Sequence, residues 1–167
     1  MALIEDYKDA LFDDYTEPNY GFVLDAVKRG EVYALDDYGY PVGAIWLTNV
    51  FQDLHGTVHL LIRPESYKSL IKSGVLNDFI EIVFKEIGIL QIDAELYEYQ
   101  TGAIRVLKRY KFKQCGRRTN QTRKNGKRQD TLFFELNRNY WEKSINGYVQ
   151  QRQQEERPGC TISSNTL

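Results

Sequence analysis

The stretch Gln91-Ile-Asp-Ala-Glu-Leu-Tyr-Glu98, followed three residues later by Gly102-Ala-Ile-Arg-Val-Leu-Lys-Arg-Tyr-Lys-Phe112, decides how this chain folds. In its first half Ile92, Ala94 and Leu96 alternate with Asp93, Glu95 and Tyr97, the period of a strand with one buried face. In its second half Ala103, Ile104, Leu107 and Tyr110 recur at helical spacing. The segment therefore predicts a strand, a tight turn, a basic helix and an exit into a further strand. From these residues alone the pattern reads as an ordinary packing unit, and a ligand-framing reading needs the rest of the chain.

Outward from this unit, composition sets the class. A chain of 167 residues with 42% hydrophobic and 13% aromatic residues is long enough for one folded core without metal or disulfide staples. Cys115 and Cys160 have neither metal-type spacing nor a nearby histidine, which points to a reducing, cytoplasmic setting and leaves a disulfide between them open. The acidic N-terminus lacks the pattern of a secretory signal, and no apolar run reaches membrane-spanning length. Net charge is −1, but it is unevenly placed. Residues 1–37 hold ten acidic and three basic side chains, whereas residues 99–129 hold eleven basic and no acidic ones. Such a cationic stretch suits a phosphorylated cofactor, an acidic partner or nucleic acid.

Taken in order, residues 3–15 predict an amphipathic helix, and a second helix runs from Pro18 to Arg29 before Gly30. Val32–Leu35, Val42–Val50 and Thr57–Arg63 read as three antiparallel strands separated by turns. Pro64–Gly74 is ambiguous between loop and helix, and Val75–Ile87 is a helix with Val75, Phe79, Ile82, Val83 and Ile87 on one face. A helix of that length between two strands predicts a parallel crossover. Phe112–Cys115 and Thr131–Leu136 close the sheet around a basic hairpin loop, Arg117–Gln129. A short helix, Asn137–Ile145, is anchored by Tyr140 and Trp141. The reading is one domain over residues 1–146 and a polar tail over 147–167, which a partner could order.

The order ααβββ-α-β-α-ββ, with Ala103-Ile-Arg-Val-Leu-Lys-Arg-Tyr-Lys-Phe112-Lys-Gln-Cys-Gly116, resembles the GNAT superfamily of acyl-coenzyme-A-dependent N-acyltransferases over about residues 3–141. The spacing of nine from Ala103 to Phe112 matches the family pattern. Asp130–Trp141 is similar to the closing strand and helix of the ribosomal-protein N-terminal acetyltransferase branch and of short phage-encoded relatives. The resemblance implies an α+β fold with a GNAT-like mixed sheet, a short C-terminal helix and a polar tail. It also implies that the strands at Val58–Arg63 and Gln91–Tyr97 splay apart to receive the pantetheine arm of acetyl-coenzyme A.

On that resemblance, Ile62, Arg63, Lys68, Ser69, Lys72, Ser73, Gly74 and Val75 are the cofactor-binding candidates. The aligned loop keeps one glycine, Gly74, where the family has Gln/Arg-x-x-Gly-x-Gly/Ala. Gln100, Leu107 and Lys111 stand where the family has asparagine, tyrosine and glycine. Leucine cannot protonate a departing thiolate, so Tyr110 is the acid candidate, with core packing as its other reading. His59 and Glu95 are the base candidates, and the plainer reading of His59 is a polar cross-strand residue on a solvated face. Arg117, Arg118, Arg123, Lys124, Lys127 and Arg128 form a candidate acceptor or partner patch, or else a solvated hairpin. No metal site is expected. The implied activity is acetyl transfer to a primary amine of an unidentified acceptor in the cytoplasm, that of a host cell if phage-encoded. The alternative is a catalytically degenerate structural or interaction protein, such as a phage or virion component. Nucleic acid is a third, weaker partner class, because the basic stretch lacks stacking aromatics.

Overall fold

The computed structural model describes residues 14, 32–37, 40–144 and 162–163. The two helices expected over residues 3–29 lie, Asp14 apart, outside the described residues. Three antiparallel strands come first: β1 (Val32–Asp37), β2 (Tyr40–Thr48) and β3 (His55–Ile62). A 3₁₀ turn, Pro64–Ser66, leads into the short helix α1 (Tyr67–Ser73). Gly74, at φ 74°, adopts the left-handed turn that separates α1 from α2 (Val75–Ile82), and α2 runs on as a π-helical turn over Val83–Ile87. The parallel crossover ends in β4 (Gln91–Tyr97), after which come α3 (Thr101–Arg109), β5 (Lys113–Lys124) and β6 (Lys127–Asn137). Residues 138–144 are helical, and β7 (Ile162–Ser163) pairs with Ala34 and Leu35 of β1.

The sheet runs β5-β6-β4-β3-β2-β1-β7. Its inner face carries Ile45, Leu47, Ile62, Ile92, Ala94, Phe134 and Leu136, covered by Val75, Leu76, Phe79, Ile80, Val83 and Phe84 of the α2 segment and by Val106 and Leu107 of α3. Burying side chains of this size contributes about 1.5–3 kcal/mol each. Trp141 is buried and packs on Phe84 with ring centroids 5.2 Å apart, which docks the terminal helix. Tyr140, expected to share that anchoring, is exposed beneath Lys113 Nζ.

Three boundaries differ from the sequence reading. Pro64–Gly74 is helical, because Leu70 is drawn fully into the core. The stretch Arg117–Gln129 is a two-stranded ribbon and not a loop: β5 and β6 pair as far as Lys124 with Lys127. Asn125 and Gly126, both at positive φ, form its two-residue turn, the Asn-Gly signature of a hairpin. The expected polar tail also supplies β7 at the sheet edge.

Strand β3 leans towards β2 at Gly43. A Cβ at this position would lie 2.3 Å from the Leu61 carbonyl oxygen, which is backbone and cannot step aside. Gly43→Ala is expected to lower the unfolding free energy by about 1–3 kcal/mol in urea titrations. An unchanged midpoint would show that the close approach is dispensable.

Candidate active site

The site grows from a mismatch between two neighbouring strands. β3 and β4 pair in parallel only through His55–Gln91, Gly56–Ile92 and Thr57–Asp93. At this closed end His55 Nδ1 lies 3.0 Å from Asp93 Oδ2, while Gln91 Nε2 donates to Asp93 Oδ1 at 2.7 Å. Phe51 stacks on His55 with centroids 5.1 Å apart. Beyond Thr57 and Asp93 the strands diverge.

The direction of the freed backbone groups follows from the neighbouring ladders. Arg63 N–H donates to Val42 C=O, so by antiparallel alternation Leu61 and His59 also turn their backbone groups to β2. Leu60 and Ile62 therefore turn theirs into the cleft. On the other side Glu98 N–H donates to Asp130 C=O, which directs Leu96 and Ala94 to β6 and leaves Glu95 and Tyr97 facing the cleft. Tyr97 N–H is satisfied by Gln100 Oε1 at 2.9 Å, a side chain standing where a strand would otherwise pair. Nothing in the spacing of Gln100 announced this role.

Side-chain alternation places His59 and Glu95 on the same face of the sheet, each two residues past the last paired position. Glu95 is exposed. His59 is half-buried, stacked on Trp46 with centroids 5.3 Å apart, and its Nε2 lies 2.7 Å from Thr48 Oγ1. Burial pushes its pKa below the ordinary 6.5, so the imidazole is neutral at pH 7. Tyr110 lies elsewhere: it is buried on the helix face, and its hydroxyl donates to the Leu70 and Ile71 carbonyls at 3.4 and 3.5 Å.

The open end of the cleft is lined from Arg63 and α1 by cationic and hydroxyl side chains. Among the described residues Arg63 Nε is buried without an acceptor, the kind of donor that an anion would satisfy. Lys68 and Lys72 are exposed on α1. Ser69 and Ser73 are occupied locally: their hydroxyls donate to Ser66 and Leu70 carbonyls at 3.2 and 2.9 Å. Gly74 and Val75 are buried, and Val75 N–H donates to Ser73 Oγ at 3.3 Å, so the start of α2 offers no open N–H cradle. Tyr67 rests on Gly102, where an added Cβ would come within 3.0 Å of its ring, and so bridges α1 to α3.

The basic patch lies on the β5–β6 ribbon, with Arg117 and Arg118 level with the last two residues of β4 and the other four cations beyond its end. Arg118, Arg123, Lys127 and Arg128 are exposed. Lys124 lies over Tyr99, and Arg118 over Phe133. Arg117 pairs with Asp130 and, at 3.5 Å, with Glu98. Asp130 Oδ1 also accepts Asn120 N–H at 2.9 Å, which holds the irregular register of β5. Asp14 caps the ribbon turn through the N–H groups of Asn125 and Gly126, at 2.9 and 2.8 Å. Cys115 is an exposed, unbridged thiol.

This architecture, a mixed sheet opened between two parallel strands with helices across one face, is the GNAT acetyltransferase fold. No protein-family model and no curated protein matches the chain in sequence. Among similar solved structures is a GNAT-family acetyltransferase from Bacillus anthracis, at TM-score 0.51 and 16% identity, covering 59% of this chain and 60% of that one. A ribosomal-protein-alanine N-acetyltransferase from Brucella melitensis matches at TM-score 0.63 and 18% identity over 81% and 92% of the two chains. Spermidine/spermine N-acetyltransferase SpeG from Vibrio cholerae matches at TM-score 0.64 and 12% identity over 85% and 91%. At these identities the likeness establishes the fold.

Asp130 provides a pH test of the ribbon. Its carboxyl is held below the ordinary 3.8, first by the Asn120 N–H and then by Arg117. The stabilisation is present above 3.8 and lost as pH falls through the lower folded-state value. Asp130→Asn should therefore flatten the acid limb of the stability profile below 3.8. An unaltered acid limb would remove Asp130 from that role.

Proposed function

We propose that this chain is an acyl-coenzyme-A-dependent N-acyltransferase, with acetyl-coenzyme A as donor and a primary amine as acceptor. The observation that carries the reading is the three-residue limit on β3–β4 pairing. It leaves Leu60, Ile62 and Glu95 with strand-type backbone groups and, among the described residues, no strand between them, a setting for an extended amide-bearing ligand. Arg63, Lys68 and Lys72 would hold the coenzyme's phosphates as side-chain cations, and bound coenzyme supplies the activated thioester. The splayed N–H groups of Leu60 and Ile62 serve as fixed donors to a developing oxyanion.

An amine reaches the site as an ammonium and must lose a proton before it can attack. Exposed Glu95 attracts the cation, and neutral His59, steadied by Thr48 and Trp46, accepts the proton. Tyr110 has its hydroxyl committed to α1, so water is the proton donor to the leaving thiolate in this reading. The named neighbours acting on ribosomal-protein alanine and on spermidine support an amine acceptor. The exposed cations of the ribbon favour an acceptor with negative charge near its amine.

Calorimetric titration with acetyl-coenzyme A, followed by turnover on an amine panel, tests the reading. Binding and turnover are expected, whereas no binding at millimolar ligand would sink it. Binding without turnover on any amine would assign the cofactor-dependent interaction module instead. For the base, kcat/KM should fall on the acid side below pH 6.5, where His59 takes up a proton. His59→Gln should cost about a hundredfold and abolish that limb. Wild-type rates in this variant would exclude His59.

A further inference from the structure

An apolar cavity of about 30 Å³ lies on the helix side of the splay. Val58 and Leu60 of β3, Ile92 of β4, Phe79 of α2, and Leu107 and Tyr110 at α3 are among its walls. Its position is informative: Val58 is the first β3 residue past the last β3–β4 pair, and Ile92 sits within the paired stretch. The cavity therefore lies beside the apex of the V, on its helix side. Every named wall presents carbon. Leu107 is aliphatic, and the Tyr110 hydroxyl is turned away to the Leu70 and Ile71 carbonyls.

Resting on the acyltransferase reading, we propose that the site takes donors with a short apolar tail longer than acetyl, namely propionyl and butyryl thioesters, with the tail seated in this cavity. The size follows from volume. A water-sized group needs about 10–15 Å³ of such space, so about two more carbons fit beyond the acetyl methyl. The chemistry follows from the lining: an apolar cavity gives water no partners and stays dry. A methylene placed there gains dispersion contacts that the empty walls lack and leaves water at the same time. Each added methylene should therefore tighten binding about fourfold until the space is full. A straight chain much longer than four carbons meets the packed core of Phe79 and Ile92, both fully buried, and loses this gain.

The test is calorimetric titration of the full chain with free coenzyme A and with its acetyl, propionyl, butyryl and octanoyl thioesters. Propionyl and butyryl thioesters should bind about four- to sixteenfold more tightly than acetyl, and octanoyl more weakly than butyryl. Leu107→Phe, which fills the cavity from α3, should return the preference to acetyl. Leu107→Ala, which enlarges it, should shift the optimum to longer chains. Circular dichroism confirms that each variant is folded, and the affinity ratios within one variant are independent of its overall stability. Free coenzyme A binding together with a flat or acetyl-favouring series would overturn the tail pocket and leave the acyltransferase reading standing. No binding by coenzyme A or any thioester would overturn both. A preference for longer chains that persists unchanged in both Leu107 variants would place the tail elsewhere and overturn the assignment.

Discussion

The structure depends on a hydrogen-bond ladder that stops early. Two adjacent parallel strands would ordinarily pair along their length, since unpaired strand groups are costly once buried. Here they pair for three residues and then part. Contacts on each side enforce the parting. β3 is held to β2 through six successive pairs and approaches it so closely that only glycine fits at 43. β4 is held to β6 along its whole length, from Gln91 with Asn137 to Tyr97 with Thr131. Each strand follows its outer partner, and the right-handed twist of the sheet turns the difference into a V.

What fills the V is divided between backbone and side chain. Gln100 satisfies the Tyr97 N–H, and Tyr67 closes against Gly102 at the open end, so the cleft is finished by residues from two helix entries. Beneath it the core leaves a small apolar space in place of tight packing. On the opposite face of the sheet stand His59 and Glu95, with His59 stacked on buried Trp46. One strand pair thus has an apolar space on one side and two ionisable side chains on the other, with backbone groups aligned between them. Such a separation suits a reaction in which an acyl group and an amine meet from opposite sides of the sheet.

Much of this was legible in the residues. The change of period between Gln91 and Phe112 located β4 and α3, and the helix from Val75 to Ile87 required the parallel crossover that makes β3 and β4 neighbours. The ribbon was not read correctly, because six cations over Arg117–Arg128 masked the strand signal. Its Asn125-Gly126 turn was the available clue. Pro64–Gly74 escaped assignment because its helix is held by one deeply buried residue, Leu70, and by the Tyr110 hydroxyl, a contact forty residues distant in sequence. Candidate site residues could be named from the sequence, but their surroundings could not. Gly74 and Val75 are buried, and the contacts of Gln100, of Thr48 and of the cavity wall are ones that no local spacing encodes.

In the proposed function the diverging halves of β3 and β4 present their backbone groups to an extended coenzyme. Amide hydrogen exchange resolved at single residues, with and without coenzyme A, addresses it most directly. Exchange should be fast at Leu60, Ile62 and Glu95 in the free protein and slow at Leu61 and Leu96, and adding coenzyme A should protect the first three. Protection of Leu60, Ile62 and Glu95 already equal to that of Leu61 in the free protein would contradict it, as would coenzyme binding that leaves their exchange unchanged.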